Sequence, residues 1–146
     1  MQAGNRRESK KSEAGERMNL FDVIGPIMIG PSSSHTAGAV RLGRLARELL
    51  GEPVIAADIG LHGSFARTGK GHGTDRALIA GLMGWQTDDS RIPHSFEHAA
   101  QTGLAFHFEM VCLGDSAHPN TVVFALKGHS EGVLRITGCS VGGGRI

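Results

Sequence analysis

Phe106-His107-Phe108-Glu109-Met110-Val111-Cys112-Leu113, Thr121-Val122-Val123-Phe124-Ala125-Leu126-Lys127 and Gly132-Val133-Leu134-Arg135-Ile136-Thr137-Gly138-Cys139 close the chain. All three runs are short and rich in aromatic and β-branched residues, and Gly-, Asp-, Pro- and His-bearing segments part them. They read as strands joined by turns of hairpin type. Upstream, Val54-Ile55-Ala56-Ala57-Asp58-Ile59 predicts a further strand, and Gly60-Leu61-His62-Gly63-Ser64 carries the chain out of it. Helices are expected over residues 36–50, 65–68, 75–83 and 95–103, ended by Gly and Pro punctuation. The fold class is therefore α+β, with a mixed, partly antiparallel sheet and helices on it.

The first helix rests on Val40, Leu42, Leu45, Ala46, Leu49 and Leu50, which recur at helical spacing between Arg41, Arg44, Arg47 and Glu48. Gly51 and Pro53 end it. Directly before it stands Gly30-Pro31-Ser32-Ser33-Ser34-His35-Thr36. Only a few amides at a helix start lack partners, and one hydroxyl can cap them, so four hydroxyls and an imidazole exceed what capping requires. Together with the positive end of the helix dipole, the surplus donors suit an anion such as the carboxylate of a small substrate.

A second segment has similar character. Gly69-Lys70-Gly71-His72-Gly73-Thr74-Asp75 reads as a glycine-rich turn leading into the apolar helix of Ala77, Leu78, Ala80, Leu82 and Met83. Lys70 supplies a fixed charge and His72 a base that titrates near neutrality. A phosphate-binding P-loop would need a Gly five residues before the Gly-Lys pair and a Ser or Thr directly after the Lys. Ser64 and Gly71 occupy those places, so the nucleotide reading fails.

The run from Phe21-Asp22-Val23-Ile24-Gly25-Pro26 through Gly30-Pro31-Ser32-Ser33-Ser34-His35-Thr36-Ala37-Gly38, then Gly63-Ser64, then Gly69 to Asp75, closely resembles the beta chain of iron-sulfur-dependent L-serine dehydratases. The resemblance covers nearly everything after Asn19. It implies an L-serine ammonia-lyase, a lyase that converts L-serine to pyruvate and ammonia. In that family a 4Fe-4S cluster on a separate alpha chain or domain acts as Lewis acid on the serine hydroxyl, and the beta part closes over the substrate. The resemblance also implies similarity to the allosteric substrate-binding domain of phosphoglycerate dehydrogenase. On this reading Ser33, Ser34, His35 and Thr36 bind the substrate carboxylate, and Lys70 and His72 lie close to the reacting carbon. His72 is then the preferred base for the α-proton.

Cys112 and Cys139 are the only cysteines and lie far apart in sequence. A cubane cluster usually takes four sulfur ligands, and even the three-Cys variety cannot be built from two. No metal ligands are assigned to this chain, and the 4Fe-4S cluster is expected on its partner, the alpha chain. Both cysteines fall in strand-like segments, where a free Cys behaves as a small buried hydrophobe.

With 146 residues, 40% hydrophobic content and a formal charge of +1, the chain can form one domain with a real core. Residues 1–18 carry Arg6, Arg7, Lys10, Lys11 and Arg17 against Glu8, Glu13 and Glu16, lack an apolar run and read as a disordered charged tail. Met18 is an alternative start, because the resemblance begins there. The dehydratase domain is assigned to residues 19–140. Residues 141–146, Val141-Gly142-Gly143-Gly144-Arg145-Ile146, read as a Gly-rich link or truncated end. Longer beta chains of the family continue there into an ACT-type regulatory domain. Sparse aromatics, no basic stripe after residue 18 and no long apolar run argue against nucleic acid and membrane as partners. Two cysteines without a disulfide pattern suit the cytoplasm. The expected partners are the alpha chain, L-serine and further copies in an oligomer.

Two smaller motifs remain. His118-Pro119-Asn120 is a turn by its residue types, and the resemblance adds His118 and Asn120 to the substrate-binding set. His94-Ser95-Phe96-Glu97-His98 fits the pattern of inverted zinc metallopeptidases, yet Pro93 puts its first His at a helix start and no distant acidic ligand stands out. It reads instead as a solvated helix face. His107 and His129 are a strand and a turn histidine. The alternative from another class is a non-catalytic module that binds serine or another small anion and regulates a partner enzyme.

Overall fold

The computed structural model describes residues 33–146. The charged tail of residues 1–18, the alternative start at Met18 and the motif from Phe21 to Ser32 lie outside the described residues, as do the side chains of Ser33, Ser34, Thr68, Lys70 and His72.

One π-helical turn, Ser33–Ala37, leads into helix α1, Gly38–Leu50, which ends at Gly51 in the left-handed conformation (φ 77°). Strand β1 (Ala56–Leu61), helices α2 (Gly63–His72) and α3 (Thr74–Leu82), a 3-10 turn (Ile92–His94) and helix α4 (Ser95–Thr102) follow. Strands β2 (Ala105–Met110), β3 (Thr121–Lys127) and β4 (Leu134–Cys139) complete the order.

The sheet runs β2-β1-β3-β4, with β1 parallel to β2 and antiparallel to β3, and β3 antiparallel to β4. The α+β expectation with a mixed sheet is met. Phe124 lies opposite Ile59 on one side and Ile136 on the other. Alternation along β3 buries Val122, Phe124 and Leu126 and turns Lys127 to solvent. Ala57, Ile59 and Leu61 of β1 join the same core. The strand residues between them present the other face, on which Asp58, His107, Arg135 and Thr137 are exposed.

Helices α1 and α3 cross at two glycines. A Cβ on Gly43 would come within 2.5 Å of the Leu78 carbonyl oxygen, and one on Gly81 would strike the Val40 carbonyl. The close crossing buries Val40, Leu42, Ala46, Leu78 and Leu82.

Three expectations need correction. Only β3 and β4 form a hairpin: β2 leaves β1 by a helical crossover and lies parallel to it, so the segment between Met110 and Thr121 must pass to the far side of β1. The stretch Gly69-Lys70-Gly71-His72 is not a loop but the last turn of α2, which the sequence had confined to residues 65–68. Phe65, fully buried, anchors that helix, and the Pro119 carbonyl accepts from the Ser64 and Phe65 amides at its start (2.7 and 3.4 Å). Tertiary support of this kind outweighs the helix penalty of about 1 kcal/mol per glycine. The chain turns only at Gly73, whose φ of 70° suits glycine. The third correction is Cys112, which follows β2 and is exposed, while Cys139 ends β4 partly covered.

The remaining differences are boundary shifts. The strand expected over residues 54–59 is β1 at Ala56–Leu61, and those expected over 106–113 and 132–139 are Ala105–Met110 and Leu134–Cys139. Residues 141–145 fold into a turn, in which the Val141 amide donates to the Arg145 carbonyl (3.0 Å) and the Arg41 guanidinium holds the Gly144 carbonyl (3.0 Å). Among the described residues no helix is long and apolar enough to cross a membrane.

Candidate functional site

The turn before α1 owes its shape to its neighbours, not to capping. Ala37 occupies the N-cap position of α1, and among the described residues no side chain closes it. His35 instead turns toward α2: its Nε2 lies 3.1 Å from the Ser64 hydroxyl, and its ring meets Phe65 edge-on, with centroids 5.2 Å apart. Thr36 is buried beside it at 2% exposure. Ser64 therefore links two of the predicted segments, and sequence reasoning had not assigned it a place in the site.

The third segment arrives from the other side. Pro119 approaches the start of α2 so closely that a Cβ on Gly63, itself at φ 59°, would lie 2.6 Å from the Pro119 carbonyl oxygen. That carbonyl accepts from the Ser64 amide, so His35, Ser64 and the His118-Pro119-Asn120 turn form one contiguous array. Within the turn, the Asn120 amide donates to His118 Nδ1 (3.0 Å) and the Thr121 hydroxyl to the His118 carbonyl. His62, one residue before α2, accepts the Leu113 amide at Nδ1 (3.1 Å).

Lys70 and His72 stand in the final turn of α2, and Thr74 opens α3 just past Gly73. A Cβ on Gly69 would lie 3.7 Å from Thr74 Cβ, so the end of α2 and the start of α3 are in contact. Thr74 is fully buried, and among the described residues its hydroxyl has no hydrogen-bond partner. Ser140, after β4, is likewise fully buried, and neither its hydroxyl nor the buried side-chain oxygen of Asn120 has a hydrogen-bond partner among the described residues. Thr74 stood in the Gly69-to-Asp75 motif without an assigned role, and Ser140 did not announce itself in the sequence: a Ser or Thr at the edge of a helix or strand reads as a turn residue, and only burial exposes the missing partner.

The His94-to-His98 motif does not assemble. The Glu97 carboxylate sits 3.3 Å from the Arg76 guanidinium, and its pKa is lowered, first by its own backbone amide in the opening turn of α4 and also by Arg76. The His98 ring packs edge-on against Trp85. Among the described residues no three His, Cys, Asp or Glu side chains are grouped to hold a metal ion.

Comparison with known proteins matches residues 19–146 to the family model described as serine dehydratase beta chain. The chain is 50% identical to the L-serine dehydratase beta chain of Peptoniphilus asaccharolyticus, over 88% of this chain and 58% of that protein. It is 46% identical to the probable L-serine dehydratase beta chain of Bacillus subtilis (strain 168), over 88% of this chain and 57% of the relative. L-serine dehydratase TdcG of Escherichia coli (strain K12) is 34% identical over 88% of this chain and 33% of its own length. The chain thus spans less than three-fifths of the length of the curated relatives it matches.

Proposed function

Since the chain belongs to the serine dehydratase beta-chain family, we propose that it is the beta component of a cytoplasmic L-serine ammonia-lyase, acting in an oligomeric complex with an alpha chain. The observation that supports this most directly is the His35–Ser64 contact, because it joins segments 29 residues apart into one polar array with the Pro119 turn. A pure helix cap would have no reason to reach a second helix.

In this reading His35 and Thr36, with Ser33 and Ser34, hold the substrate carboxylate, while His118 and Asn120 border the same space. Removal of the α-proton falls to His72, an imidazole being suited to proton transfer near neutral pH, and Lys70 supplies a fixed positive charge. Serine loses its α-proton and β-hydroxyl as water to give 2-aminoacrylate, which becomes an imine and hydrolyses to pyruvate and ammonia. The donor set of this chain does not fit a cubane cluster: Cys112 is exposed after β2, Cys139 ends β4, and the sequence holds no third cysteine. The 4Fe-4S cluster therefore belongs, in this proposal, to the alpha chain.

The test is serine-dependent pyruvate formation after anaerobic mixing with the cognate alpha chain. Pyruvate formed only by the mixture is the expected result. Serine binding without pyruvate would instead favour a non-catalytic regulatory module built from the same residues.

A further inference from the structure

Asn120 and Ser140 hold each other by their backbones. The Ser140 amide donates to the Asn120 carbonyl (3.0 Å), and the Asn120 side-chain Nδ2 donates to the Ser140 carbonyl (3.5 Å). With Nδ2 so engaged, the amide's oxygen is the free end, and both Asn120 Oδ1 and Ser140 Oγ are buried without a hydrogen-bond partner among the described residues. Ser140 is fully buried. Its surroundings are fixed, since a Cβ on Gly138 would meet Leu42 Cδ2 at 2.7 Å and Arg41 holds the turn that follows. Two shielded oxygens left unpaired on residues that hold each other are costly unless a partner arrives.

The chemistry of the pair identifies that partner. An amide oxygen can only accept, and a hydroxyl can accept as well as donate, so together they suit a group with several N–H donors, while the amide oxygen disfavours a carboxylate. We propose that Asn120 Oδ1 and Ser140 Oγ receive the α-ammonium group of the amino-acid substrate, which makes Ser140 a substrate-orienting residue. This rests on the serine reading given above. Asn120 adjoins Pro119, whose carbonyl holds the helix start bearing Ser64, the partner of His35. The zwitterion would then be gripped by its carboxylate at the His35 end and by its ammonium at the Asn120 end. Such two-point attachment fixes which face of the α-carbon meets the base.

The test uses the complex assembled with the alpha chain, L-serine as substrate and 3-hydroxypropionate, serine without its amino group, as competitive inhibitor. A hydrogen bond to a charged group is worth at least about tenfold in affinity. Ser140→Ala and Asn120→Ala should each raise the KM for L-serine by at least that factor while leaving the 3-hydroxypropionate inhibition constant within about twofold of wild type. The wild-type complex, for which folding is not in question, should prefer L-serine to 3-hydroxypropionate by more than about tenfold. Parallel loss of both ligands, loss of neither (as for a buried water), or a wild type that does not distinguish them overturns the inference. Failure of the underlying reading is visible separately, as absence of serine-dependent pyruvate from the wild-type complex, and removes this inference with it.

Discussion

His35 Nε2 lies 3.1 Å from the hydroxyl of Ser64, tying the π-helical turn before α1 to the first turn of α2. Neither residue could reach the other without the sheet, because β1 delivers Ser64 and the Pro119 carbonyl fixes its amide. The contact thus ties a row of polar residues to the start of a second helix.

Replacing His35 by Ala should chiefly weaken serine binding in the assembled enzyme, by about 1.5 to 3 kcal/mol for a lost charge-assisted hydrogen bond. Ser34→Ala should act in the same direction. Ser64→Ala should lower the stability of the isolated chain by about 1 kcal/mol, the net worth of one hydrogen bond. Substrate titration and chemical denaturation separate the two effects. Unchanged serine affinity in His35→Ala would reduce the contact to a structural tie.

For His72 the expected effect is on chemistry. His72→Asn should keep the fold, the partner and serine binding while turnover falls at least about a hundredfold, because general base catalysis typically contributes 10²- to 10⁴-fold. Exchange of the α-deuterium of labelled serine should disappear together with pyruvate formation. Near-normal turnover would shift the search for the base to Lys70, His118 or the alpha chain.

Purified alone, the chain should be colourless, free of iron and sulfide, and inactive, since two separated cysteines cannot hold a cluster. Visible absorbance and metal analysis decide it. A brown protein would show that this chain carries the cofactor after all.

Gly81→Ala should be among the most damaging single-methyl changes in the helical layer, because its Cβ would strike the Val40 carbonyl on the facing helix. Backbone on both sides leaves nothing flexible to yield. The cost should be at least about 1 to 3 kcal/mol, read as a lower midpoint in denaturant. At Gly103 the same substitution meets open space and is strained only by its φ of 79°.

Acid should act on Asp89 in a defined direction. The Arg91 side chain bonds both of its carboxylate oxygens, at 3.0 and 2.7 Å, and holds its pKa below the usual carboxylate value. A depressed acid adds stability above its ordinary pKa and loses it as pH falls through the lowered one. The stability difference between wild type and Asp89→Asn should therefore be constant near neutrality and shrink below about pH 4. A difference that grows on acidification would contradict the assignment.

What could be read without coordinates was local. Thr121–Lys127 was delimited to the residue, because alternation of Val122, Phe124 and Leu126 with their neighbours records which face is buried. The 3.6-residue repeat through Val40, Leu42 and Ala46 likewise marked α1 to within two residues at its start and to the residue at its end. The motifs around His35, Lys70 and His118 were visible as unusual groupings of polar side chains. Periodicity cannot say which strand lies beside which. Only the tertiary structure decided that β2 runs parallel to β1 and that β3 joins β1 from the other side, because pairing depends on the helical crossover between them. The helical Gly69-to-His72 turn was hidden for a related reason: its glycines carry low propensity, and the support comes from a buried Phe65 and from the Pro119 carbonyl, remote in sequence, at the start of the helix. Ser64, though part of a quoted motif, and Ser140 had no assigned role, because a hydroxyl has meaning only through what it faces. Burial and the partners it grants or withholds are properties of the folded chain.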